Sequence, residues 1–329
     1  MGRGVSGVDD ATDFGTDEPT GSEELVRRQS WPVDGGVEME LTVDVGRIRV
    51  HLDEQIGGTG EGSAGDVRVE VRHDPSAGNT WTQGLSGIIN WLGGHGGPGV
   101  GRSVDDLAAD AVRAAEISWS ETGKRLVVRS SQDLPLRVVP LAITVSAPAG
   151  SRLAARAGAG DVRVTGRAGW AGVRTGSGRI SVAAVGGDAD VTTGSGDVEI
   201  GAVAGRMRVR TGSGKVAVAS TGGPAEVRAS SGAVTVGTVD ADLGVRTGSG
   251  DVEISDARCG RLELTTGSGG LRIGVHPGVR AELDLTSGSG KTRSDLEVTG
   301  VAPEQPAALQ VRGRTGSGDV LVTRAAAAV

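Results

Sequence analysis

The chain has 329 residues with 41 acidic against 34 basic side chains, and its net charge of −7 argues against a general nucleic-acid binder. A single cysteine, Cys259, excludes an internal disulfide framework, and one Phe with no Tyr leaves the core to small aliphatic side chains. No run approaches the ~20 apolar residues of a transmembrane helix.

Residues 1–30 read as a mobile acidic tail. Asp9, Asp10, Asp13, Asp17 and Glu18 stand where an export signal needs a basic start and an apolar run, so a cytoplasmic location is expected. From Trp31 the pattern changes. Val37, Met39, Leu41, Val43 and Val45 alternate with polar residues, Ile48, Val50 and Leu52 resume after Gly46, and Val67, Val69 and Val71 give another strand. Residues 31–137 are expected to be worn first rungs of a stack together with its cap.

A helical insertion over 78–116 interrupts this region. Trp81, Leu85, Ile88, Ile89 and Leu92 have the stripe spacing of an amphipathic helix, with Trp91 beside it. A Gly-rich linker then leads to Ser103, a plausible N-cap, with Asp105 and Asp106 in the first turn of a helix running to about Glu116. The insertion is expected either to cap the stack or to dock on a partner or membrane surface through Trp81, Leu85, Ile88, Ile89, Trp91 and Leu92. It lacks the Lys and Arg that anionic lipid attracts, which counts against the membrane version. Strands are expected again at 117–119, 126–128 and 141–145.

Residues 138–323 carry the organising repeat. Thr193-Gly194-Ser195-Gly196-Asp197-Val198-Glu199-Ile200 recurs in versions at 157–164, 175–182, 211–218, 229–236, 247–254 and 266–273, with looser copies at 287–290 and 315–322. The second glycines fall at 160, 178, 196, 214, 232 and 250, a constant step of 18. A fixed period of this length marks stacked repeats. Aligned units give apolar columns such as Val191, Val209, Val227 and Val245, then Val198, Val216, Val234 and Val252, each separated from the next by one polar residue. That is the period of a strand with one buried face, and Gly-Ser-Gly supplies the corner. The expected fold is an all-β, single-stranded parallel β-solenoid of roughly nine rungs at ~4.8 Å. Two or three faces per rung both fit the spacing. Residues 294–308 are expected to form a loop off the rod, 311–323 its last rung, and 324–329 a frayed end.

Two outward columns carry charge. Asp161, Arg179, Asp197 and Lys215 alternate in sign, which favours the in-register stack. Arg156, Arg174, Arg210, Arg228 and Arg246, with Thr192 among them, form a column of like charge that must meet local carboxylates or an anionic partner.

Other motifs carry less. Ser287-Gly288-Ser289-Gly290-Lys291-Thr292 has the end of a phosphate-binding loop but not its first glycine, whose place holds Leu285, nor the helix that must follow. Gly-Ser-Gly-Asp lacks the ligand spacing of a calcium roll, and Arg179 and Lys215 interrupt the acidic column. His51, His73, His95 and His276 have no metal-ligand spacing, and Cys259 reads as a packed thiol. No cofactor or metal is expected.

The run Val145-Ser146-Ala147-Pro148-Ala149-Gly150-Ser151-Arg152-Leu153, followed by Gly158-Ala159-Gly160-Asp161-Val162-Arg163-Val164 and the serial Thr-Gly-Ser-Gly units, resembles the bacterial putative-adhesin family of β-strand-repeat proteins. The resemblance covers roughly residues 35–323. It implies a single-stranded β-solenoid, a domain of unknown function related in look to the head domains of some adhesins, and no catalytic residues to carry over. Some members are membrane-anchored and linked to envelope-stress systems; this chain departs from them in showing no anchor.

The function expected is therefore a non-enzymatic binding or scaffold protein. Its partner would be a protein or a cell-envelope component, met without nucleic acid and without a membrane-spanning segment, though contact at the membrane surface is compatible. The alternatives are a scaffold that polymerises end to end and a carbohydrate-active enzyme built around Trp170.

Overall fold

The structure is a computed structural model and describes residues 26–56, 65–77, 104–296 and 307–326. Strands β1 (Val26–Val33), β2 (Glu38–Asp53) and β3 (Gly65–His73) precede helix α1 (Val104–Ala114). There follow β4 (Glu116–Ser120), β5 (Arg125–Arg129), β6 (Leu141–Pro148), β7 (Arg152–Ala159) and β8 (Val162–Ala168). Then come β9 (Trp170–Ser177) and β10 (Ile180–Val185), β11 (Ala189–Ser195) and β12 (Val198–Val203), β13 (Met207–Ser213) and β14 (Val216–Thr221). The series continues as β15 (Ala225–Ser231) and β16 (Val234–Val239), β17 (Leu243–Thr247) and β18 (Val252–Ala257), β19 (Gly260–Thr266) and β20 (Leu271–Val275). It ends with β21 (Ala281–Ser287) and β22 (Thr292–Ser294), β23 (Leu309–Thr315) and β24 (Val320–Arg324).

The expected β-solenoid is present. From β9 onward, even-numbered strands stack in parallel as sheet I and odd-numbered strands as sheet II, in register at an 18-residue offset such as Val191 on Val209 and Ile200 on Val218. One rung is a sheet II strand, a Gly-Ser-Gly corner, a sheet I strand and a second turn. In the rung at 189–203, Ala189, Val191, Thr193, Val198, Ile200 and Val203 point inward and are buried. Two consecutive outward residues, Gly201 and Ala202, bend the sheet I strand between Ile200 and Val203. The cross-section therefore has two sheets, one of them bent.

The corner residues have structural reasons. Gly196 has φ +134°, and a Cβ there would lie 2.1 Å from the Gly178 carbonyl oxygen of the rung before, so both conformation and space require glycine. The Thr ahead of the corner is buried, and its hydroxyl stays satisfied by donating to a corner carbonyl: Thr193 to Ser195 O at 3.2 Å, Thr211 to Ser213 O at 3.0 Å, Thr315 to Gly269 O at 2.8 Å.

At both ends, chain order and spatial order part company. Sheet II runs β4–β5–β2–β7–β9–β11–β13–β15–β17–β19–β23–β21, parallel except for β4 against β5. Sheet I runs β1–β3–β6–β2–β8–β10–β12–β14–β16–β18–β20–β24–β22, with β1–β3 and β3–β6 antiparallel. Strand β2 serves both sheets, turning at Gly46. Among the described residues each sheet thus holds eleven parallel strands, against the nine rungs the spacing suggests.

Several expectations change here. Residues 26–30, read as part of the tail, belong to β1, which pairs with β3 over residues 26–33. Val67, Val69 and Val71 belong to antiparallel β3 and are not a worn rung. The rung at 309–324 is not last, since it sits between 260–275 and 281–294. Arg324 lies in β24 and the buried Ala325 donates its N–H to Val275 O at 2.8 Å, so the end is held this far and not frayed from 324.

Helix α1 closes the N-terminal end. Leu107, Ala108, Ala111, Val112 and Ala115 are buried, and Arg27 caps the helix C-terminus by donating to the carbonyls of Ala115 at 2.5 Å and Arg113 at 3.1 Å. Trp31 stacks on Trp119 at 5.6 Å between centroids, joining β1 of one sheet to β4 of the other. Of the insertion, the described part 104–116 packs its apolar face into the core beside β1 and β3; residues 78–103, including Ser103, lie outside the described residues.

Candidate functional site

Strand alternation decides which residues face out. In β13, Met207, Val209 and Thr211 go to the core, leaving Arg208 and Arg210 on the surface of sheet II. Stacking then turns equivalent positions into columns. The column through Arg210 reads, in spatial order, Arg129, Thr42, Arg156, Arg174, Thr192, Arg210, Arg228, Arg246, Thr265, Arg314 and Thr286. The five arginines expected from the repeat all lie in it, with Thr192 among them. Arg129 joins only because of the threading at the N-terminal end, and Arg314 stands between Thr265 and Thr286 because of that at the other. A signal for Arg314 was present, since it precedes Thr315-Gly316-Ser317-Gly318 just as the others precede their corners.

Part of this charge is met locally. Glu40 takes Arg125 at 2.7 Å, Arg129 at 2.9 Å and Arg156 at 3.7 Å. Hydrogen bonds from Arg129 and then Arg125 hold its carboxyl below the usual range despite some desolvation. Glu226 takes Arg228 at 2.5 Å, Arg208 at 3.6 Å and Arg246 at 3.9 Å. Burial pushes the Glu226 carboxyl up, but the Arg228 hydrogen bond and the three positive charges outweigh it and leave it lowered. The exposed side chains of Arg174, Arg210 and Arg314 have no acid in ion-pair range among the described residues.

The Asp column after the corner has a different role from the one its alternating signs suggest. Each carboxylate accepts the backbone N–H of the next rung: Asp161 from Arg179 at 2.8 Å, Asp197 from Lys215 at 2.9 Å, Asp251 from Gly270 at 2.8 Å, Asp319 from Lys291 at 2.8 Å. Asp188 and Asp242 do the same at the opposite turn, for Arg206 and Arg261. These oxygens are rung-to-rung clamps. Only Arg179 and Asp197 approach as side chains, at 3.5 Å.

The remaining candidates resolve individually. The phosphate-loop look-alike is an ordinary corner followed by strand β22, with Gly290 N–H bonded to Ser287 Oγ at 2.8 Å. His51 meets Thr165 Oγ1 at 2.9 Å and His276 meets Asp256 at 2.8 Å, and no group of metal-ligating residues occurs among the described residues. Cys259 is half-buried, with Sγ 3.1 Å from Asp240 O. The Trp170 ring lies across Gly172, where a Cβ would come within 2.3 Å of it, and the Arg152 guanidinium sits 5.2 Å from its centroid. The indole is bedded on the sheet and overlaid by a cation. Trp81, Leu85, Ile88, Ile89, Trp91 and Leu92 lie outside the described residues. Among the described residues no helix is long and apolar enough to cross a membrane.

The chain is similar in structure to a putative adhesin from Bacteroides fragilis, with 8% identity, a TM-score of 0.42, and coverage of 92% of this chain and 98% of that one. A putative adhesin from Parabacteroides merdae gives 11% identity and a TM-score of 0.31 over 90% and 95% of the two chains. One from Parabacteroides distasonis gives 10% identity and 0.29 over 91% and 98%. No curated protein matches the sequence. The Toastrack DUF4097 family model matches residues 141–324, the regular stack from β6 to β24, and by that match the chain belongs to the Toastrack DUF4097 family, a family of unknown function.

Proposed function

We propose that the protein is a non-enzymatic binding scaffold that presents the arginine column of sheet II to an anionic component of the cell envelope. The observation that supports this most is the condition of Arg174, Arg210 and Arg314, exposed on a rigid stack with no acid in range among the described residues. A fixed row of like charges opposes folding and is relieved by an anion laid along it. A catalytic reading has less behind it. The carboxyls displaced from their ordinary range, Asp34, Glu40, Asp74 and Glu226, are all displaced downward, whereas a general acid must be raised.

The test uses the full chain and a bacterial envelope fraction, separated by sedimentation at low and high salt. Wild type should be retained at low salt and released as screening rises. Combining Arg174→Gln, Arg210→Gln and Arg314→Gln should lower retention about tenfold, each contact being worth roughly half a kcal/mol. Retention of the triple variant at the wild-type level removes the proposal.

A further inference from the structure

Next to the arginine column runs a second outward column: Val127, Glu40, Ala154, Gly172, Asp190, Arg208, Glu226, Gly244, Glu263, Arg312 and Asp284. Glycine occurs twice in it, and the two positions differ. At Gly172 the space of the missing side chain is taken by the Trp170 ring, whose Cη2 would lie 2.3 Å from a Cβ. At Gly244 a Cβ would meet only Ala225 O, at 4.0 Å, so the place is open. It forms a notch of about 420 Å³ whose walls include Arg208, Pro224, Glu226, Arg261 and Glu263. The buried Nε of Arg208 has no hydrogen-bond partner, Glu226 Oε2 being 3.6 Å away.

From this we propose that the Gly244 notch is a subsite for one sugar ring of an extended uronic-acid polysaccharide lying along sheet II. Trp170 at Gly172 shows within the same molecule that glycine in this column leaves room for a six-membered ring against the sheet. The floor at Pro224 and Gly244 offers an apolar surface to the C–H face of a pyranose. Around it, Arg208 and Arg261 donate to a carboxylate, while Glu226 and Glu263 accept from hydroxyls. A mixed rim suits a ligand carrying both hydroxyl donors and an anion. A phosphate polymer offers acceptors alone and would be repelled by Glu226 and Glu263. Beyond the notch, Arg210 and Arg174 stand two and four rungs away at ~4.8 Å per rung, so a linear chain with regularly spaced carboxylates can follow the column. This inference rests on the anion-binding role proposed above. It also places the rod where such polysaccharides are found, outside the cytoplasm expected from the N-terminal residues.

Calorimetry on the full chain at low salt, with oligogalacturonate, polyphosphate and a neutral dextran oligomer as probes, tests it. Wild type should bind oligogalacturonate and leave dextran unbound. Gly244→Trp, which fills the notch, should weaken oligogalacturonate binding about tenfold or more and leave polyphosphate binding as it was. Gly244→Asp copies Asp190 of the same column and serves as a second variant should the tryptophan disturb folding; it should weaken binding similarly. Arg174→Gln with Arg210→Gln should weaken both anionic probes. Wild-type affinity for oligogalacturonate in a folded Gly244 variant overturns the sugar subsite. If the arginine pair still lowers polyphosphate binding and envelope retention, the scaffold reading survives that failure; if it lowers neither, both fall.

Discussion

The middle of the stack and its two ends follow different rules. Between β8 and β20, every rung lies on the rung before it in sequence and beneath the one after, so each column repeats and a short unit suffices to specify it. At the ends a rung has a neighbour on one side only, and an unpaired strand edge invites aggregation. The protein answers with sequence-distant segments. Antiparallel β3 and β4 and helix α1 close one end, while at the other β24 and β23 are clamped between β20 and β22 and between β19 and β21. Regularity is a property of rungs with two neighbours.

Glycine substitutions separate the two regimes most strongly. Gly196→Ala places a Cβ 2.1 Å from a carbonyl oxygen of the preceding rung at a φ of +134°, and the neighbouring backbone is fixed by stacking. The expected destabilisation is about 4 kcal/mol. Gly278, in the turn before β21, has φ +83° with nothing within 4 Å, so Gly278→Ala should lose only about 1 kcal/mol for its left-handed conformation. Denaturant titration of both variants reads the difference. Equal losses would show that corner packing is not what distinguishes the middle.

Carboxylates give a smaller contrast. Asp74, near the N-terminal end, is buried against a two-pronged hydrogen bond from Arg47 and further bonds from Ser76. Burial pushes its carboxyl up, but the Arg47 and Ser76 hydrogen bonds prevail and hold it low. Because the folded value lies below the unfolded one of about 3.9, the pair's contribution is complete above that pH and is lost as pH falls through the folded value. Asp74→Asn should therefore destabilise by about 3 kcal/mol at pH 7, leaving Arg47 unpaired, and by progressively less in acid. Asp197 in the middle accepts the Lys215 N–H and has only an exposed pairing with Arg179 besides, so Asp197→Asn should change stability by less than about 1 kcal/mol at pH 7. Thermal melts between pH 3 and 7 check both. A pH-independent loss for Asp74→Asn would refute the assignment.

What the sequence disclosed follows the same division. Val191, Val209 and Val227, and with them Arg174, Arg210 and Arg228, could be stacked by eye because their partners lie 18 residues away. The partners of β2 lie roughly a hundred residues downstream in β6, β7 and β8, and no periodicity reports a pairing at that distance. Arg129, which joins the column through β2, was missed for that reason, whereas Arg314 was legible from the Thr315-Gly316-Ser317-Gly318 corner that follows it. The Asp column shows another limit: alternating sign suggests side-chain pairing, whereas the acceptor works on a backbone N–H that no sequence pattern displays. At Gly244 the repeat spacing does place Glu226 and Glu263 on either side, but the open space there and the Arg208, Pro224 and Arg261 walls of the notch are not written in it.

The place of Arg314 in the arginine column, between Thr265 and Thr286, requires the chain's last rung to enter the stack out of order. Disulfide trapping in a Cys259→Ser background reads this directly, with cysteines placed pairwise at Thr265, Thr286 and Arg314. Neighbouring rungs at ~4.8 Å are within reach of a disulfide, and positions two rungs apart are not. The 265–314 and 286–314 pairs should close on mild oxidation while 265–286 stays reduced. Ready closure of 265–286, with 265–314 left open, would mean that the rungs stack in chain order and that Arg314 ends the column instead of standing between Thr265 and Thr286.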